Sequence, residues 1–293
     1  MGAMKRLAAC LVLGILALPQ LTGKAADPRQ AVSTRDGTGP TGPLFAQSAV
    51  RVLNREFASG DVSFLLLDAR TGALLTSHWD DPERPIPLGS LVKPFTALAY
   101  AQEHDFIYPV HLCRGAASGC WLAKGHGRVD ITSAIAKSCN SYFLMLTANM
   151  SGEQMRPTAR AFGLEEPDAD LSGAALMGLG DRWLISPQHM ARAYLELYRR
   201  RDQPGVRNLV AGMAQSTWNG TGMGVGRALK DSGALVKTGT ASCTHPHRAP
   251  GDGFVIALVP ADQPELLLMV RVHGVPGAKA SVTAGKMLRR MRQ

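Results

Sequence analysis

The chain has 293 residues, of which 45% are hydrophobic and 19% are charged, so it is long enough for one large or two small domains and too apolar for a disordered tail. Its 32 basic and 23 acidic residues give a formal net charge of +9 at pH 7. A mild positive balance favours anionic partners at an envelope surface, and it does not indicate a nucleic-acid partner.

The first residues show the three-part pattern of a secretory signal peptide. Lys5 and Arg6 precede an apolar run over residues 7–18, and Gly23-Lys24-Ala25 has small residues at its first and third positions. We predict cleavage after Ala25 rather than retention as a membrane anchor, because the run is shorter than the roughly 20 residues that span a bilayer. We expect the protein to be exported, to the periplasm or the outer face of the cytoplasmic membrane. Its expected organisation is a signal peptide at 1–25, a polar linker at 26–46 and one domain at 47–293.

Four cysteines follow the predicted cleavage site, and an exported chain meets an oxidising environment. Cys113 and Cys120 bracket a small flexible loop, so we predict a disulfide between them, with four free thiols as the alternative. The segment from Cys243 to His247 contains metal-ligand residue types but no full set with a known spacing. We interpret it as a polar surface loop and expect no metal and no cofactor.

Strand patterns flank a long helical stretch. A hairpin is predicted over residues 62–68 and 73–79, and further strands over 234–242, 254–259 and 266–272. Between about residues 91 and 201 helical patterns dominate, and a basic amphipathic helix is predicted over 281–292. We therefore predict an α/β fold of the α+β type: a mostly antiparallel sheet of about five strands flanked by helices, with an inserted all-helical lobe and a cleft between the lobes.

A candidate nucleophile lies where the helical pattern begins. Ser90 is predicted at the first turn of a helix, and Lys93 lies one turn along on the same face. A hydroxyl becomes a nucleophile when a neighbouring base accepts its proton, and a buried lysine near other cations can act as that base near neutral pH. Alone, the pair is more commonly an N-cap serine beside a surface lysine.

Two further motifs favour a catalytic role for Ser90 and Lys93. Ser138-Cys139-Asn140 ends a predicted helix that begins near Asp130, and Lys237-Thr238-Gly239-Thr240 lies on a predicted strand. Their order and spacing in an exported chain resemble the serine penicillin-binding proteins, specifically their transpeptidase domain. The resemblance extends from about residue 62 to the C-terminus.

The resemblance implies roles for these residues. Ser90 would attack the penultimate carbonyl of a D-alanyl-D-alanine stem peptide and form an acyl-enzyme, with Lys93 taking its proton. Ser138 would relay a proton to the leaving amine, and Asn140 would hydrogen-bond the substrate amide. We expect mutual repulsion to lower the proton affinity of Lys93 while Lys237 keeps its charge. The third motif, Lys237, Thr238, Gly239 and Thr240, would bind the terminal carboxylate.

Several alternatives to a transpeptidase stay open at this point. A serine β-lactamase or a D,D-carboxypeptidase would release the acyl group to water, and a non-catalytic β-lactam or peptidoglycan sensor would not turn over. Asn140 and the interpretation of Glu165 and Glu166 as a solvated acidic turn favour slow deacylation. We expect His126 to be a structural loop residue and Trp121 a core residue. The partners implied are peptidoglycan stem peptides and inhibitory β-lactams, with no envelope protein partner identified.

Overall fold

The computed structural model describes residues 43–230, 233–243 and 251–293. The predicted signal peptide at 1–25, most of the linker and the segment around His247 lie outside the described residues. Within them, no helix combines the length and the apolar character needed to cross a membrane. The strands are β1 (Val62–Asp68), β2 (Leu74–His78), β3 (Ile86–Pro87), β4 (His111–Cys113), β5 (Gly127–Val129), β6 (Leu184–Ile185), β7 (Leu235–Ala241), β8 (Asp252–Val259) and β9 (Leu266–His273).

Helices cover both faces of the sheet and fill the interval between its strands. They are α1 (Pro43–Glu56), α2 (Lys93–Gln102), α3 (Ile131–Ala136), α4 (Asn140–Thr147), α5 (Gly152–Ala161), α6 (Pro187–Arg199), α7 (Val206–Asn219), α8 (Met223–Leu229) and α9 (Gly277–Met291). Helix α1 begins inside the predicted 26–46 linker, because Ala49 and Leu53 are fully buried in the domain core.

Five strands form one sheet in the order β2-β1-β9-β8-β7, and every neighbouring pair is antiparallel. The predicted fold class is confirmed, including the hairpin of β1 and β2, but the inserted segment is not all-helical, because it also contains the two-stranded sheets β3-β6 and β4-β5. The order explains how the chain closes: β1 pairs with β9, so the first and last strands of the domain are neighbours. The inserted helices therefore begin and end at the same sheet.

The apolar sequence of β1 follows from burial on both faces. Phe64 and Leu66 belong to the core shared with α1, α8 and α9, whereas Leu65 and Leu67 belong to the core beneath the inserted helices. Successive side chains of a strand point to opposite faces, so a strand covered on both sides needs apolar residues at every position. β1 pairs with β9 from Val62 opposite Val272 to Asp68 opposite Leu266.

Candidate active site

The turn that contains Ser90 lies against the third motif. Residues Gly89–Val92 form a single 3₁₀ turn that leads directly into α2. Gly89 has φ +58°, and a Cβ at this position would overlap the backbone of Thr240. A Cβ at Gly178 would in turn overlap the carbonyl of Gly89. Glycine is needed at both positions because two backbones approach here with no room for a side chain.

Helix α2 holds this turn rigidly from behind. Its interior positions, including Phe95, are buried in the core. The Tyr194 hydroxyl donates a hydrogen bond to the Leu91 carbonyl at 2.7 Å, and the Thr96 hydroxyl donates one to the Leu176 carbonyl at 2.6 Å. Ser90 is half-exposed, whereas Gly89, Leu91 and Val92 in the same turn are buried.

The second motif lies in a strained turn between two helices. Asp130 caps α3 by accepting a hydrogen bond from the Ser133 N–H, as the predicted helix start requires. Ser138 then has φ +50°, and Asn140 begins α4. A non-glycine residue in this conformation costs about 1–3 kcal/mol and persists only when its surroundings hold it. The contacts of Ser138 therefore determine where its hydroxyl points.

Two buried lysines converge on Ser138. Lys93 Nζ donates to Asn140 Oδ1 at 2.6 Å and to the Ser138 carbonyl at 3.0 Å, with Ser138 Oγ at 3.5 Å. Lys237 Nζ donates to Ser138 Oγ at 3.0 Å and to the Thr238 carbonyl at 2.7 Å. The fold thus brings three predicted motifs together, one from α2, one from the α3–α4 turn and one from β7.

Ser90 lies beside this network without joining it directly. Within the described part of the chain, no hydrogen bond links the Ser90 hydroxyl to Lys93 or Ser138. The connection is made through the backbone, since Gly89 packs on Thr240 and Ser90 and Lys93 share one helical turn. The hydroxyl is consequently free to meet a ligand in the cleft.

The rest of the third motif is held from its far side. The Thr240 hydroxyl accepts a hydrogen bond from the Gly277 N–H at 2.9 Å, and the Thr238 hydroxyl donates one to Thr221 Oγ1 at 2.5 Å. A Cβ at Gly239 would press on the carbonyl of Leu88. β7 therefore packs closely against both the Ser90 turn and the start of α9.

Burial lowers the pKa of both lysines. Lys93 and Lys237 are fully buried, and desolvation lowers the pKa of Lys93 to about 7. The same desolvation lowers the pKa of Lys237 well below its usual range, and the charge of Lys93 lowers it further. Burial therefore disfavours the charged form of Lys237 as well, and the repulsion expected to lower the pKa of Lys93 acts instead on Lys237. An anionic ligand beside Lys237 would raise its pKa again.

Several residues differ from their sequence interpretation. Trp121 is 53% exposed rather than a core residue, and its Nε1 donates hydrogen bonds to the carbonyls of Lys137 (3.2 Å) and Ser138 (3.1 Å). The indole therefore helps to hold the backbone of the second motif in place. Thr221 is a site residue that the sequence interpretation did not identify, although Gly220-Thr221-Gly222 is an unusual small-residue run between two helices.

The acidic pair at the end of α5 also differs from expectation. Glu165 is half-buried: its Oε1 accepts hydrogen bonds from the Ser186 N–H at 3.1 Å and from His189 at 2.9 Å, and its Oε2 is buried. Glu166 is exposed and pairs with Arg160. Glu165 therefore anchors the start of α6, which Ser186 caps.

The predicted disulfide between Cys113 and Cys120 is wrong for this structure. Cys113, Cys120 and Cys139 are buried free thiols. The sulfurs of Cys113 and Cys120 also lie 3.6 and 3.4 Å from His126 Nδ1, and all these atoms lie within 4.8 Å of one another without a disulfide.

Comparison with known families agrees with this geometry. Residues 62–291 match the family model described as the penicillin binding protein transpeptidase domain, so the chain belongs to that family. No curated protein matches the chain.

Solved structures show the same fold at low sequence identity. Helicobacter pylori PBP2, solved as a complex with MreC, superposes with a TM-score of 0.67 and 17% identity over 85% of this chain and 62% of that one. Pseudomonas aeruginosa PBP2, solved with WCK 5153, gives 0.65 and 16% over 85% and 73%. The transpeptidase domain of the Legionella pneumophila FtsI4 D,D-transpeptidase gives 0.60 and 18% over 86% and 96%. The chain thus spans less than two thirds of the H. pylori protein.

Proposed function

We propose that this protein is a peptidoglycan D,D-transpeptidase that forms an acyl-enzyme on Ser90. Family membership supports a penicillin-binding and D,D-transpeptidase role in general. The observation that supports the specific mechanism is the buried Lys93, whose pKa is lowered to about 7 and which lies three residues from Ser90 at the cleft. A neutral amine in this position is a suitable base for the Ser90 hydroxyl.

Acylation then proceeds with every proton accounted for. Lys93 takes the proton of Ser90 Oγ as the oxygen attacks the penultimate carbonyl of the stem peptide. The backbone N–H groups of Ser90 and Thr240 stabilise the oxyanion, at about 3 kcal/mol for each such donor. When the tetrahedral intermediate collapses, Ser138 gives its proton to the departing D-alanine amine, and a neighbouring lysine ammonium, Lys93 or Lys237, restores it. An acceptor amine reverses these steps and frees Ser90.

The third motif supplies the binding site for the substrate's terminal carboxylate. Lys237 provides the charge and the Thr240 hydroxyl a donor, Thr238 is held beside them by its hydrogen bond to Thr221, and Gly239 lets the strand pack closely on the Ser90 turn. Asn140, already fixed by Lys93 at 2.6 Å, can donate its amide N–H to the substrate backbone. A carboxylate beside Lys237 favours its charged form, which separates the roles of the two lysines when substrate binds.

Slow deacylation by water favours a transpeptidase over a β-lactamase. Hydrolysis needs a base that activates water at the acyl-enzyme. Glu165 is engaged by Ser186 and His189, and Glu166 is paired with Arg160, so neither carboxylate is available for that task. The D,D-carboxypeptidase and the non-catalytic sensor are then distinguished by the products that they form.

We place the enzyme outside the cytoplasm, where the stem peptides are, in accord with the predicted signal peptide.

Labelling with a fluorescent penicillin tests the assignment. We expect Ser90→Ala to abolish covalent labelling and Lys93→Met to reduce it nearly as far with the fold intact. Lys124→Met, which changes an exposed lysine, is the matched control and should label normally. Full labelling of a folded Ser90→Ala protein would eliminate the proposal.

Turnover distinguishes the remaining activities. A transpeptidase should consume about one equivalent of nitrocefin and stop, and with a stem pentapeptide and a D-amino acid acceptor it should form the exchanged peptide. Continuous nitrocefin hydrolysis would instead indicate a β-lactamase. D-alanine release without exchange would indicate a carboxypeptidase, and no turnover of stem peptide would indicate a sensor.

A further inference from the structure

Three thiols and one imidazole converge directly behind the second motif. Cys113 ends β4, Cys120 follows a short 3₁₀ turn, His126 precedes β5 and Cys139 is the middle residue of the motif itself. Their four candidate ligand atoms all lie within 4.8 Å of one another. The three cysteines are buried and the histidine is half-buried. The mechanism above uses none of these four side chains.

The spacing of these atoms is that of a tetrahedral metal site. Bonds of about 2.3 Å to sulfur and 2.0–2.1 Å to nitrogen place two sulfurs about 3.8 Å apart and a sulfur and a nitrogen about 3.6 Å apart. The observed distances are 3.9 Å between the sulfurs of Cys120 and Cys139, and 3.6 and 3.4 Å from His126 Nδ1 to the sulfurs of Cys113 and Cys120. Three of the six spacings thus match a tetrahedral site, and the other three do not exceed 4.8 Å.

We propose that Cys113, Cys120, His126 and Cys139 bind one Zn²⁺ ion in a closed structural site. Three thiolates and one imidazole favour zinc among the divalent ions, and four protein ligands leave no position for water or substrate. Binding releases the three thiol protons to solvent, while the neutral imidazole coordinates through Nδ1. No oxidation or reduction takes place. The proposal departs from the sequence expectation of no metal.

The site would hold the strained turn that presents Ser138. Cys139 directly follows Ser138, whose φ of +50° needs support from its surroundings. Trp121 directly follows Cys120, donates to the Ser138 carbonyl at 3.1 Å and packs edge-on against His126 with 5.4 Å between ring centroids. Two of the four ligands are thus covalent neighbours of residues that fix the second motif. The ion acts as a positioning element and does not touch the substrate.

A disulfide is the competing use of these cysteines. The sulfurs of Cys120 and Cys139 are 3.9 Å apart, far beyond a bond length of about 2.05 Å. A disulfide would also leave the third thiol and the imidazole without a partner. In an oxidising compartment, a bound ion would protect all three thiols, because thiolates that coordinate zinc are not free to pair.

Metal analysis of the purified full chain tests the proposal without relying on the proposed activity. After incubation with a small excess of Zn²⁺ and desalting, we expect about one zinc per wild-type chain by plasma mass spectrometry. Cys113→Ser and His126→Ala should lose most of it, whereas Cys243→Ser, the matched thiol control, should keep it. Because a variant can misfold, cobalt is added to the chelator-treated wild-type protein as well, where we expect the absorption bands of a tetrahedral thiolate site.

Two further readouts connect the ion to the turn. Chelation should lower the melting temperature of the wild-type protein by several degrees, and zinc should restore it. Chelation should also slow labelling by a fluorescent penicillin several-fold, again with recovery on adding zinc. The proposal is overturned if the folded wild-type protein binds no zinc or cobalt. Equal metal loss in Cys243→Ser, or a disulfide between two of the three cysteines in the exported protein, overturns it as well.

Discussion

The close approach of two backbones at Gly89 makes a quantitative prediction for Gly89→Ala. The new Cβ would overlap the Thr240 carbonyl, so the nucleophile turn and β7 must separate by on the order of 1 Å to restore an ordinary carbon contact of about 3.5 Å. The separated groups are the backbone neighbours of the two proposed oxyanion donors, Ser90 and Thr240. A misplacement of about 1 Å can slow a reaction about 10²-fold, which is about 2.7 kcal/mol of barrier.

The φ of Gly89 adds a separate cost that a control can measure. An alanine at φ +58° costs about 1–2 kcal/mol of stability wherever it is placed. Gly163 has φ +67° with no atom within 4 Å of a Cβ, so Gly163→Ala has the same backbone penalty without the overlap.

The second-order rate constant for acylation by a fluorescent penicillin distinguishes the two variants. We expect it to fall about 100-fold for Gly89→Ala and to stay at the wild-type value for Gly163→Ala, whose melting temperature should fall less because it has only the backbone penalty. A folded Gly89→Ala protein that acylates at the wild-type rate would refute the assignment of the oxyanion site to this junction.

Three other substitutions or conditions test separate parts of the account. Acylation should rise with pH through about 7 and level off above it, because the neutral Lys93 amine is the active form; a pH-independent rate would contradict a lysine base. Phe95→Ala should cost about 3–5 kcal/mol in the free energy of unfolding, measured by urea titration, since its ring is buried between Phe162 and Tyr194. Trp121→Phe keeps the ring but removes the donor to the second motif, so acylation should slow several-fold while the melting temperature changes little.

The fold was largely predictable because its pattern is local. The apolar runs of β1 (Val62–Asp68), β8 and β9 indicate a sheet that is buried on both faces. The helices α5 and α6 begin after Ser151 and Ser186, whose side chains cap them, so these starts are also encoded locally. The pairing of β1 with β9 joins the two ends of the domain and is determined only by the fold.

The site was predictable only as three separate motifs. The sequence indicates Ser90, Ser138 and Lys237 as candidates, but the contact between Ser138 Oγ and Lys237 Nζ joins residues 99 positions apart. The shared desolvation of both lysines is likewise a property of the folded cleft. A pattern of residue types cannot show how much water each ammonium loses.

The cysteine cluster shows why the disulfide prediction failed. Loop length alone favours pairing Cys113 with Cys120, since they are close in sequence. In the sequence, six residues separate Cys113 from Cys120, five separate Cys120 from His126 and twelve separate His126 from Cys139. Such spacings do not identify a metal site without a fold. Only the return of the chain through α3 brings Cys139 to the other thiols.

The residue that carries the acyl group decides whether Ser90 is the nucleophile. After incubation with benzylpenicillin, mass spectrometry of the protein and its peptides should show one adduct, attached to Ser90, that persists long after excess drug is removed. An adduct on another residue, or none on a folded protein, would contradict the account.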